Sequence, residues 1–406
     1  MKNTVSGLTR VKSRYSSPMK FAPFVGLLGG HGAEAWAILT ESRAAQARGE
    51  DVIILSIGDP DFETPTFVVD AAIRALRSGD THYTELEGRL DLRSAVADKM
   101  SMTAGVEIGP DRVTVLAGTQ NAFYAVCRCL FGQGDEVLVL DPAYVTYEAG
   151  IASTGATEVR VQQPAESGFW PDIDELAGSI TSATRGIVFS NPSNPTGVTL
   201  SSDELTAIAD LAIEHDLWVV VDEVYSDLVF DGVYQSIAGL PGMLERTVTV
   251  SSVSKSYAMT GWRCGWAVGP PALMDHLRRM ALITLYGLPG FVMEAATMAI
   301  REGSVEVARA RETYRRRRDL ALEILAEARN LPTLIPEAGM FLMADVTFHN
   351  SDANLFAWDL YRSTGVSVLD AGAFGSTARG WIRISYGVDD IQLGEACRRI
   401  VEFTHS

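Results

Sequence analysis

The chain has 406 residues, of which 47% are hydrophobic and 21% are charged, and its formal net charge is -17. This length predicts a subunit with one large domain and one smaller domain rather than a single small core. An acidic surface repels phosphate backbones, which argues against nucleic acid as a partner. No apolar run reaches the roughly 18 residues of a membrane helix, so no membrane partner is expected. The basic N-terminus lacks the apolar segment of a signal peptide.

Cysteine usage indicates the compartment and argues against a metal site. The four cysteines, Cys127, Cys129, Cys264 and Cys397, are too few for a disulfide framework in so long a chain. None has a metal-type spacing with nearby histidines, so we predict no metal. We interpret Cys127 and Cys129, which lie in an apolar stretch, as buried thiols, and this cysteine usage fits a cytoplasmic protein.

Short apolar runs alternate with helical patterns between residues 113 and 270. The predicted strands are Val113–Leu116, Glu136–Leu140, Arg185–Phe189, Leu217–Val221, Thr247–Ser251 and Cys264–Val268. Predicted helices run from Thr119 to Phe131 and from a cap at Ser201 or Ser202 to about His215. Continuous apolar strands separated by helices predict an α/β fold with a mostly parallel sheet covered on both faces.

The character of the sequence changes after Pro270. A long helical region reaches about Ala328, and a mixed α+β tail follows, with a predicted strand at Trp381–Ser385. The N-terminal residues also lie outside the core pattern. We therefore predict a large domain over residues 56–284. A smaller α+β domain with an N-terminal arm would comprise residues 1–55 and 285–406, and the role of residues 1–30 is left open.

Lys255 follows a predicted strand and lies among small hydroxyl residues. Such a lysine is usually a surface residue, whereas a nucleophilic lysine needs a neutral amine, which burial and nearby positive charge favour. Arg263 directly precedes the next predicted strand, and from there its side chain could lie close to Lys255. Together with Ser252 it could hold a phosphate group.

Asp222 ends an apolar run, Trp218–Val221. The carboxyl ends of parallel strands are where α/β proteins bind ligands, and a buried carboxylate there needs a cationic or hydrogen-bonding partner. A protonated pyridine nitrogen would be such a partner, and a helix N-cap is the alternative. If that pyridine ring belongs to a cofactor with a phenolic oxygen, Tyr225, three residues later, could form a hydrogen bond with this oxygen.

Three further segments carry candidate binding residues. Asn194 lies in a loop after a strand and offers both a donor and acceptors. In Ala117–Gln120, Gly118 precedes a helix, which lets the backbone approach an anion. Arg383 alternates with apolar residues in its strand and could pair with a substrate carboxylate, although an ordinary ion pair gives the same pattern.

The order and spacing of these residues resemble the class I/II aminotransferase family, whose members are pyridoxal-phosphate (PLP) enzymes of fold type I. The matching series is Asn194-Pro-Thr-Gly, Asp222-x-x-Tyr225, Ser252-x-x-Lys255 with Arg263, and then Arg383. In addition, the segment from Leu55 to Phe62 is similar to the family's substrate-gating segment. Tyr83 with Gly88 is similar to its tyrosine-and-glycine segment.

The resemblance implies a role for each matching residue. Lys255 would carry the cofactor and move a proton between substrate Cα and cofactor C4′, with Asp222 on the pyridine nitrogen and Tyr225 on the phenolic oxygen as further catalytic residues. The implied cofactor-binding residues are Gly118, Thr119, Gln120, Tyr144, Asn194, Asp222, Tyr225, Ser252, Lys255, Arg263 and Tyr83. The implied substrate-binding residues are Gly58, Asn194, Arg383 and Tyr144. Because Tyr83 would reach the partner subunit's cofactor, a homodimer with shared sites is implied.

Several stretches are similar to one branch of the family, the arginine–pyruvate transaminases. These stretches are Leu55–Pro65, Thr81–Tyr83, Tyr144–Ala149, Met259–Trp266 and Leu285–Gly287. The resemblance implies ping-pong transfer of an amino group from an L-amino acid, possibly arginine or another basic one, to a 2-oxo acid such as pyruvate. A guanidinium group would need a carboxylate, for which Glu34, Glu85, Glu87 and Asp370 are candidates.

Three other functions share features with this pattern. A lyase, decarboxylase, cyclase or oxidase would use PLP on the same fold. A PLP-binding sensor domain of a transcription regulator is disfavoured by the short segment before the match and by the acidic charge. A nicotinamide dehydrogenase is disfavoured because no G-x-G-x-x-G motif opens a βαβ unit.

Overall fold

The structure is a computed structural model that describes residues 20–22, 25–26 and 32–406. Most of the predicted N-terminal arm, residues 1–30, lies outside these ranges, and so do the side chains of residues 33 and 34. Within the described part, no helix is long and apolar enough to span a membrane. The same ranges hold no group of three or more histidine, cysteine or acidic side chains that could bind a metal ion.

The helices and strands have the following bounds. The strands are β1 (Ile53–Ile54), β2 (Val113–Leu116), β3 (Glu136–Asp141), β4 (Thr157–Gln162), β5 (Thr184–Ser190), β6 (Trp218–Asp222), β7 (Thr247–Ser252), β8 (Gly265–Val268), β9 (Thr333–Leu334), β10 (Phe341–Asp345), β11 (Val366–Ser367), β12 (Leu369–Asp370) and β13 (Trp381–Ser385). The α-helices are α1 (Ala37–Ala47), α2 (Thr66–Arg77), α3 (Leu90–Ala104), α4 (Thr119–Leu130), α5 (Tyr147–Ala152), α6 (Ile173–Gly178), α7 (Ser202–Glu214), α8 (Pro271–Thr284), α9 (Gly290–Glu302), α10 (Ser304–Leu325), α11 (Ala353–Thr364) and α12 (Asp390–His405).

Strands β2 to β8 form one sheet in the order β2-β8-β7-β6-β5-β3-β4. The pairs are parallel except those of β8, which runs antiparallel to β2 and β7. Strand β8 reverses because residues 253–264 return it to the edge where β7 ends, without an intervening α-helix. The mostly parallel α/β sheet and its six predicted strands are confirmed. Strand β4 was not predicted, because it is an edge strand with mostly half-buried or exposed side chains.

Helices cover both faces of this sheet, as the continuous apolar strands predict. Alternate residues of β3, β5 and β6 pack against α4, α5 and α8 on one face and against α6 and α7 on the other, and Val248 and Val250 of β7 join the first face. Helix α7 begins as predicted, with Ser201 as its N-cap in a capping box with Glu204. The sheet is therefore rigid, and its strand ends hold attached side chains at fixed positions.

The helical region predicted from Pro271 to Ala328 consists of three helices, α8, α9 and α10. Tyr286 and Gly287 adopt positive φ between α8 and α9, and Gly303 separates α9 from α10. Helix α9 packs against α2 and α3, beside β2 and β8. The division at residues 284 and 285 stays a prediction.

Both ends of the described chain contribute to a second, smaller core. An antiparallel sheet in the order β12-β13-β10-β9 packs with α10, α11 and α12. Strand β1 pairs in parallel with β11, which attaches the N-terminal segment to the C-terminal part of the chain. The strand predicted at Trp381–Ser385 is β13, with the same bounds. Strand β1 leads into residues 55–62, where the Gly58 carbonyl contacts Lys255 beyond β7.

Candidate active site

A cavity of about 320 Å³ lies where the carboxyl ends of β5, β6 and β7 meet the N-terminus of α4 and the residue at the middle of β13. Eleven of the predicted site residues line it: Gly58, Thr119, Gln120, Tyr144, Asn194, Asp222, Tyr225, Ser252, Lys255, Arg263 and Arg383. The topology explains this convergence, because parallel strands end at one edge of the sheet. Side chains scattered over more than 300 residues of sequence therefore face one space.

Lys255 lies three residues beyond β7, and its Nζ donates a hydrogen bond to the carbonyl oxygen of Gly58 at 2.6 Å. Loss of solvent around the ammonium group lowers the pKa of Lys255 to about 8. The Asp59 carboxylate opposes this shift, whereas the guanidinium groups of Arg383 and Arg263 add to it. The sequence and its fold thus give the lysine a substantial neutral fraction near neutral pH, which a nucleophile requires.

Asp222 is the last residue of β6, and both of its oxygens accept hydrogen bonds. The Tyr147 hydroxyl donates to Oδ2 at 2.9 Å, and the Val224 backbone N–H donates to Oδ1 at 3.0 Å. Burial nevertheless raises the pKa of Asp222 to about 6. A cation placed against this carboxylate would lower its pKa again, so the site favours a positively charged ligand atom there.

Tyr147 is a site residue that the sequence reasoning missed. Its side chain is buried against Phe123, with ring centroids 4.5 Å apart, and its hydroxyl is held by Asp222. The sequence did offer one indication of this role: Tyr147 follows Tyr144 by three residues, in the first turn of α5. Both tyrosines line the cavity. Trp36 and Asp59 also line the cavity, and neither was predicted as a site residue, although Asp59 lies in the segment from Leu55 to Phe62 that resembles the family's substrate-gating segment.

The opposite end of the cavity is built to receive an anion. Gly118, with φ of +86°, opens α4, and a Cβ atom there would collide with the guanidinium group of Arg263. Arg263 donates to the carbonyl oxygens of Thr260 at 2.8 Å and Ala117 at 3.3 Å. The hydroxyl of Thr119 is buried and has no hydrogen-bond partner in the described structure. A helix N-terminus, a guanidinium group and an unused hydroxyl together match a phosphate group.

Arg383 is a buried cation without a carboxylate partner among the described residues. Its side chain is 2% exposed and lies between the rings of Phe341 and Phe374, 4.6 and 4.8 Å from their centroids. Nη1 donates to Oδ1 of Asn194 at 2.9 Å and Nη2 to the Ser56 carbonyl at 3.3 Å, while Nε has no partner. Burial lowers the pKa of Arg383 to about 10. An isolated buried charge is costly, so this residue is placed to bind an anionic ligand.

Comparison with known proteins agrees with this geometry. The sequence profile of the family "Aminotransferase class I and II" matches residues 50–400. The chain belongs to this family. An arginine–pyruvate transaminase of Pseudomonas aeruginosa is 46% identical over 94% of this chain and 97% of its own length. An aspartate aminotransferase of Pyrococcus abyssi is 35% identical over 86% of this chain and 91% of its own length.

Solved structures of aminotransferases share the fold of this one. The aspartate aminotransferase of Thermus thermophilus with maleate superposes with a TM-score of 0.89 at 31% identity, over 95% of this chain and 99% of that one. The aromatic aminotransferase of Pyrococcus horikoshii gives a TM-score of 0.84 at 35% identity, over 89% and 98% of the two chains. The protein is therefore a fold-type I aminotransferase, which transfers an amino group from an amino acid to a 2-oxo acid with PLP as cofactor.

The residues of this aminotransferase fit PLP at three separate points. The anion-binding end described above suits the phosphate, Lys255 suits the aldehyde carbon, and the buried carboxylate of Asp222 suits a protonated pyridine nitrogen. When bound, PLP supplies an electron sink for the negative charge left at the substrate Cα after deprotonation. The relative positions of these groups are set by the sheet, because Asp222 ends β6, Lys255 follows β7, and α4 begins just after β2.

We expect the rate at which the cofactor-free aminotransferase attaches PLP covalently to rise with pH, with a midpoint near pH 8. Only the neutral amine attacks an aldehyde, and its fraction increases as the pH passes the pKa of Lys255, which is about 8 instead of the ordinary 10.5. Stopped-flow absorbance at a series of pH values measures this rate. A midpoint near 10.5 would show that burial does not shift Lys255.

Some predicted residues lie apart from the cavity. Tyr83 is 84% exposed, does not line the cavity of its own chain, and has its ring 4.7 Å from that of Tyr286. Its role toward a partner subunit stays a prediction. Of the acids considered for a guanidinium group, Glu85, Glu87 and Asp370 do not line this chain's cavity, and the side chain of Glu34 is outside the described residues.

Proposed function

We propose that this aminotransferase takes the amino group of an L-amino acid with a cationic side chain, such as arginine, and transfers it to pyruvate or a similar 2-oxo acid by a ping-pong mechanism. The observation that carries the proposal for an amino acid is the unpaired, buried guanidinium group of Arg383. It suits the α-carboxylate that every amino acid and 2-oxo acid presents. The name of the Pseudomonas aeruginosa relative supports arginine as donor and pyruvate as acceptor.

In this proposal Arg383 fixes the substrate by its α-carboxylate, with Asn194 and the backbone of Gly58 beside it. Asn194 already accepts a hydrogen bond from Arg383, so the amide holds the guanidinium group in place. A Cβ atom added at Gly58 would be only 2.6 Å from the Phe341 ring, so a side chain does not fit there. The absence of a side chain leaves the Gly58 backbone accessible to the substrate. A substrate held at both ends of its carboxylate has its Cα directed at Lys255.

Lys255 performs the proton transfer. As a neutral amine it removes the proton from the substrate Cα, and as an ammonium group it returns that proton at C4′ of the cofactor. Its lowered pKa suits both directions, because both forms are accessible near pH 8. The Gly58 carbonyl accepts a hydrogen bond from Nζ and orients the amine.

The remaining predicted residues hold the cofactor. Gly118, Thr119, Ser252 and Arg263 would bind the phosphate at the start of α4. Gln120 also lines the cavity, and its Oε1 accepts a hydrogen bond from the Thr146 hydroxyl. The Asp222 carboxylate, supported by Tyr147, stabilises a proton on the pyridine nitrogen. Tyr225, Asn194 and Tyr144 line the same cavity. The Tyr225 hydroxyl and the Asn194 amide would hold the phenolic oxygen, and the Tyr144 ring would cover the cofactor ring.

A homodimer is part of the same proposal. The exposed ring of Tyr83 is supported by Tyr286 on the surface and is available to reach the phosphate in the partner subunit's site. We also propose that the enzyme works in the cytoplasm, since its four cysteines are free thiols.

Product analysis tests the proposed reaction. With arginine and pyruvate, we expect one alanine to form for each arginine consumed, and reciprocal rate plots at several pyruvate concentrations to be parallel. If arginine is inert while other amino acids yield alanine, the proposed donor is wrong and the aminotransferase assignment stands. Release of ammonia or carbon dioxide without alanine would instead favour a lyase, oxidase or decarboxylase.

A further inference from the structure

Asp59 is a carboxylate of the cavity to which no role has yet been assigned. Among the described residues that line the cavity, the acids are Asp59 and Asp222. Asp222 is buried and accepts hydrogen bonds from Tyr147 and Val224, whereas Asp59 is exposed to solvent. Asp59 therefore stands at the mouth of the cavity, and Asp222 at its base.

The Asp59 carboxylate is held in position but retains binding capacity. The Thr260 hydroxyl donates to its Oδ1 at 2.8 Å, and this is the one hydrogen bond described for the carboxylate, so that Oδ2 is free to accept another. An ionised carboxylate accepts several hydrogen bonds and pairs in a bidentate way with a guanidinium group. The side chain is thus oriented, and no ion pair is described for it, although its charge acts on the nearby Lys255.

The backbone on both sides of Asp59 is fixed. Before it, the Gly58 carbonyl accepts the hydrogen bond from Lys255. After it, Asp61 forms a bidentate ion pair with Arg317, whose side chain is 5% exposed, with N···O distances of 2.7 and 2.8 Å. A preorganised acid binds a ligand with less loss of conformational entropy than a mobile surface acid does.

Asp59 lies nearer to the solvent than Arg383 does. Arg383, which receives the α-carboxylate, is almost fully buried, so the substrate side chain extends from there toward the mouth. Trp36 also lines the cavity, and its half-buried ring offers an aromatic face on which a cation can rest. The cations that line the cavity, Lys255, Arg263 and Arg383, all have other proposed partners.

We propose that Asp59 binds the cationic end of the amino donor's side chain and thereby sets the preference for basic substrates. This inference rests on the proposed function, in which Arg383 holds the α-carboxylate of such a donor. It assigns to Asp59 the recognition that the sequence analysis sought in Glu34, Glu85, Glu87 and Asp370. Binding at the mouth also leaves Asp222 free to serve the cofactor.

The test compares L-arginine with L-citrulline, an uncharged amino acid of nearly the same shape. In the PLP-loaded enzyme, we expect Asp59→Asn to lower the ratio of kcat/KM for arginine to that for citrulline by about 10- to 100-fold, the effect of losing one charge-assisted interaction. Using the ratio cancels effects on Lys255, whose amine serves both substrates. Asp59→Glu, which keeps the charge, should restore a large part of the ratio.

Glu85→Gln is the matched control. Glu85 is an exposed acid outside this chain's cavity but next to Tyr83, in the segment that a partner subunit would present. We expect this variant to keep the wild-type ratio. A ratio that falls with Glu85→Gln and stays constant with Asp59→Asn would overturn the assignment of Asp59 and favour recognition by the partner's acid. Wild-type enzyme that does not prefer arginine to citrulline would refute the proposed substrate class itself, and the Asp59 inference with it.

Discussion

Replacement of Lys255 by alanine is expected to lower kcat/KM for transamination by about 10⁴-fold or more, because general acid–base transfer alone contributes up to about that factor. The substitution removes both the amine that attaches PLP and the base that moves the substrate proton. The rest of the cavity stays in place, since the Lys255 ammonium has a single described hydrogen bond, to Gly58. Steady-state kinetics with arginine and pyruvate measure the loss.

Lys99 provides a control for this experiment. It and Lys255 are the two lysines of the sequence after residue 20. Lys99 also has a largely buried ammonium group, but that group donates to Asp227 at 2.6 Å and does not line the active-site cavity. Lys99→Ala should therefore lower the thermal stability, because it leaves Asp227 unpaired, and should retain the absorbance band of lysine-bound PLP. Loss of that band in Lys99→Ala but not in Lys255→Ala would show that Lys255 is not the cofactor lysine.

Replacement of Arg383 by methionine is expected to lower kcat/KM for arginine by about 10²- to 10³-fold, and the melting temperature should not fall. The activity loss follows from removing one partner of a buried charge pair with the substrate, which costs roughly 2–5 kcal/mol. The stability expectation follows from the lack of a carboxylate partner for Arg383 among the described residues. In the free enzyme the guanidinium group is desolvated without full compensation, and an apolar side chain avoids that cost.

Calorimetry and kinetics on the same preparation test both halves of this prediction. A fall in the melting temperature of Arg383→Met together with the activity loss would indicate that the residue mainly supports the fold. Undiminished kcat/KM would show that the substrate carboxylate binds elsewhere. Asn194→Ala is a useful companion variant, because it removes the amide that orients Nη1 and should reproduce part of the activity loss.

The large sheet was predictable because its strands obey simple rules. The central strands β3, β5 and β6 are buried on both faces, so each contains an unbroken apolar run, whereas β7 alternates valine with threonine. Strand β4 breaks this rule at the sheet edge and was missed. The reversal of β8 was not predicted either, since direction depends on the route of residues 253–264 rather than on composition.

Some residues of the candidate site were predicted from the sequence and others were not. Lys255, Asp222 and Asn194 were found because each follows a strand of the sheet, and Arg383 because it alternates with apolar residues. Tyr147 and Asp59 were not found, since their importance depends on which side chains face them in three dimensions. The Tyr147 hydroxyl is part of the site only because it donates a hydrogen bond to Asp222, which is 75 residues away in the sequence. The acids proposed for substrate recognition were chosen by position in the sequence, and position alone cannot show that Asp59 lines the cavity.

The central claim is that the enzyme stores the substrate's amino group on PLP held at Lys255, and the absorbance spectrum of the purified PLP-loaded protein tests it most directly. We predict that excess L-arginine without any oxo acid removes the band of lysine-bound PLP and produces the band of the aminated cofactor. Addition of pyruvate should then restore the first band, and the Lys255→Ala variant should show no such cycle. A band that responds neither to arginine nor to any other amino acid, or one that pyruvate and other 2-oxo acids fail to restore, would contradict the account.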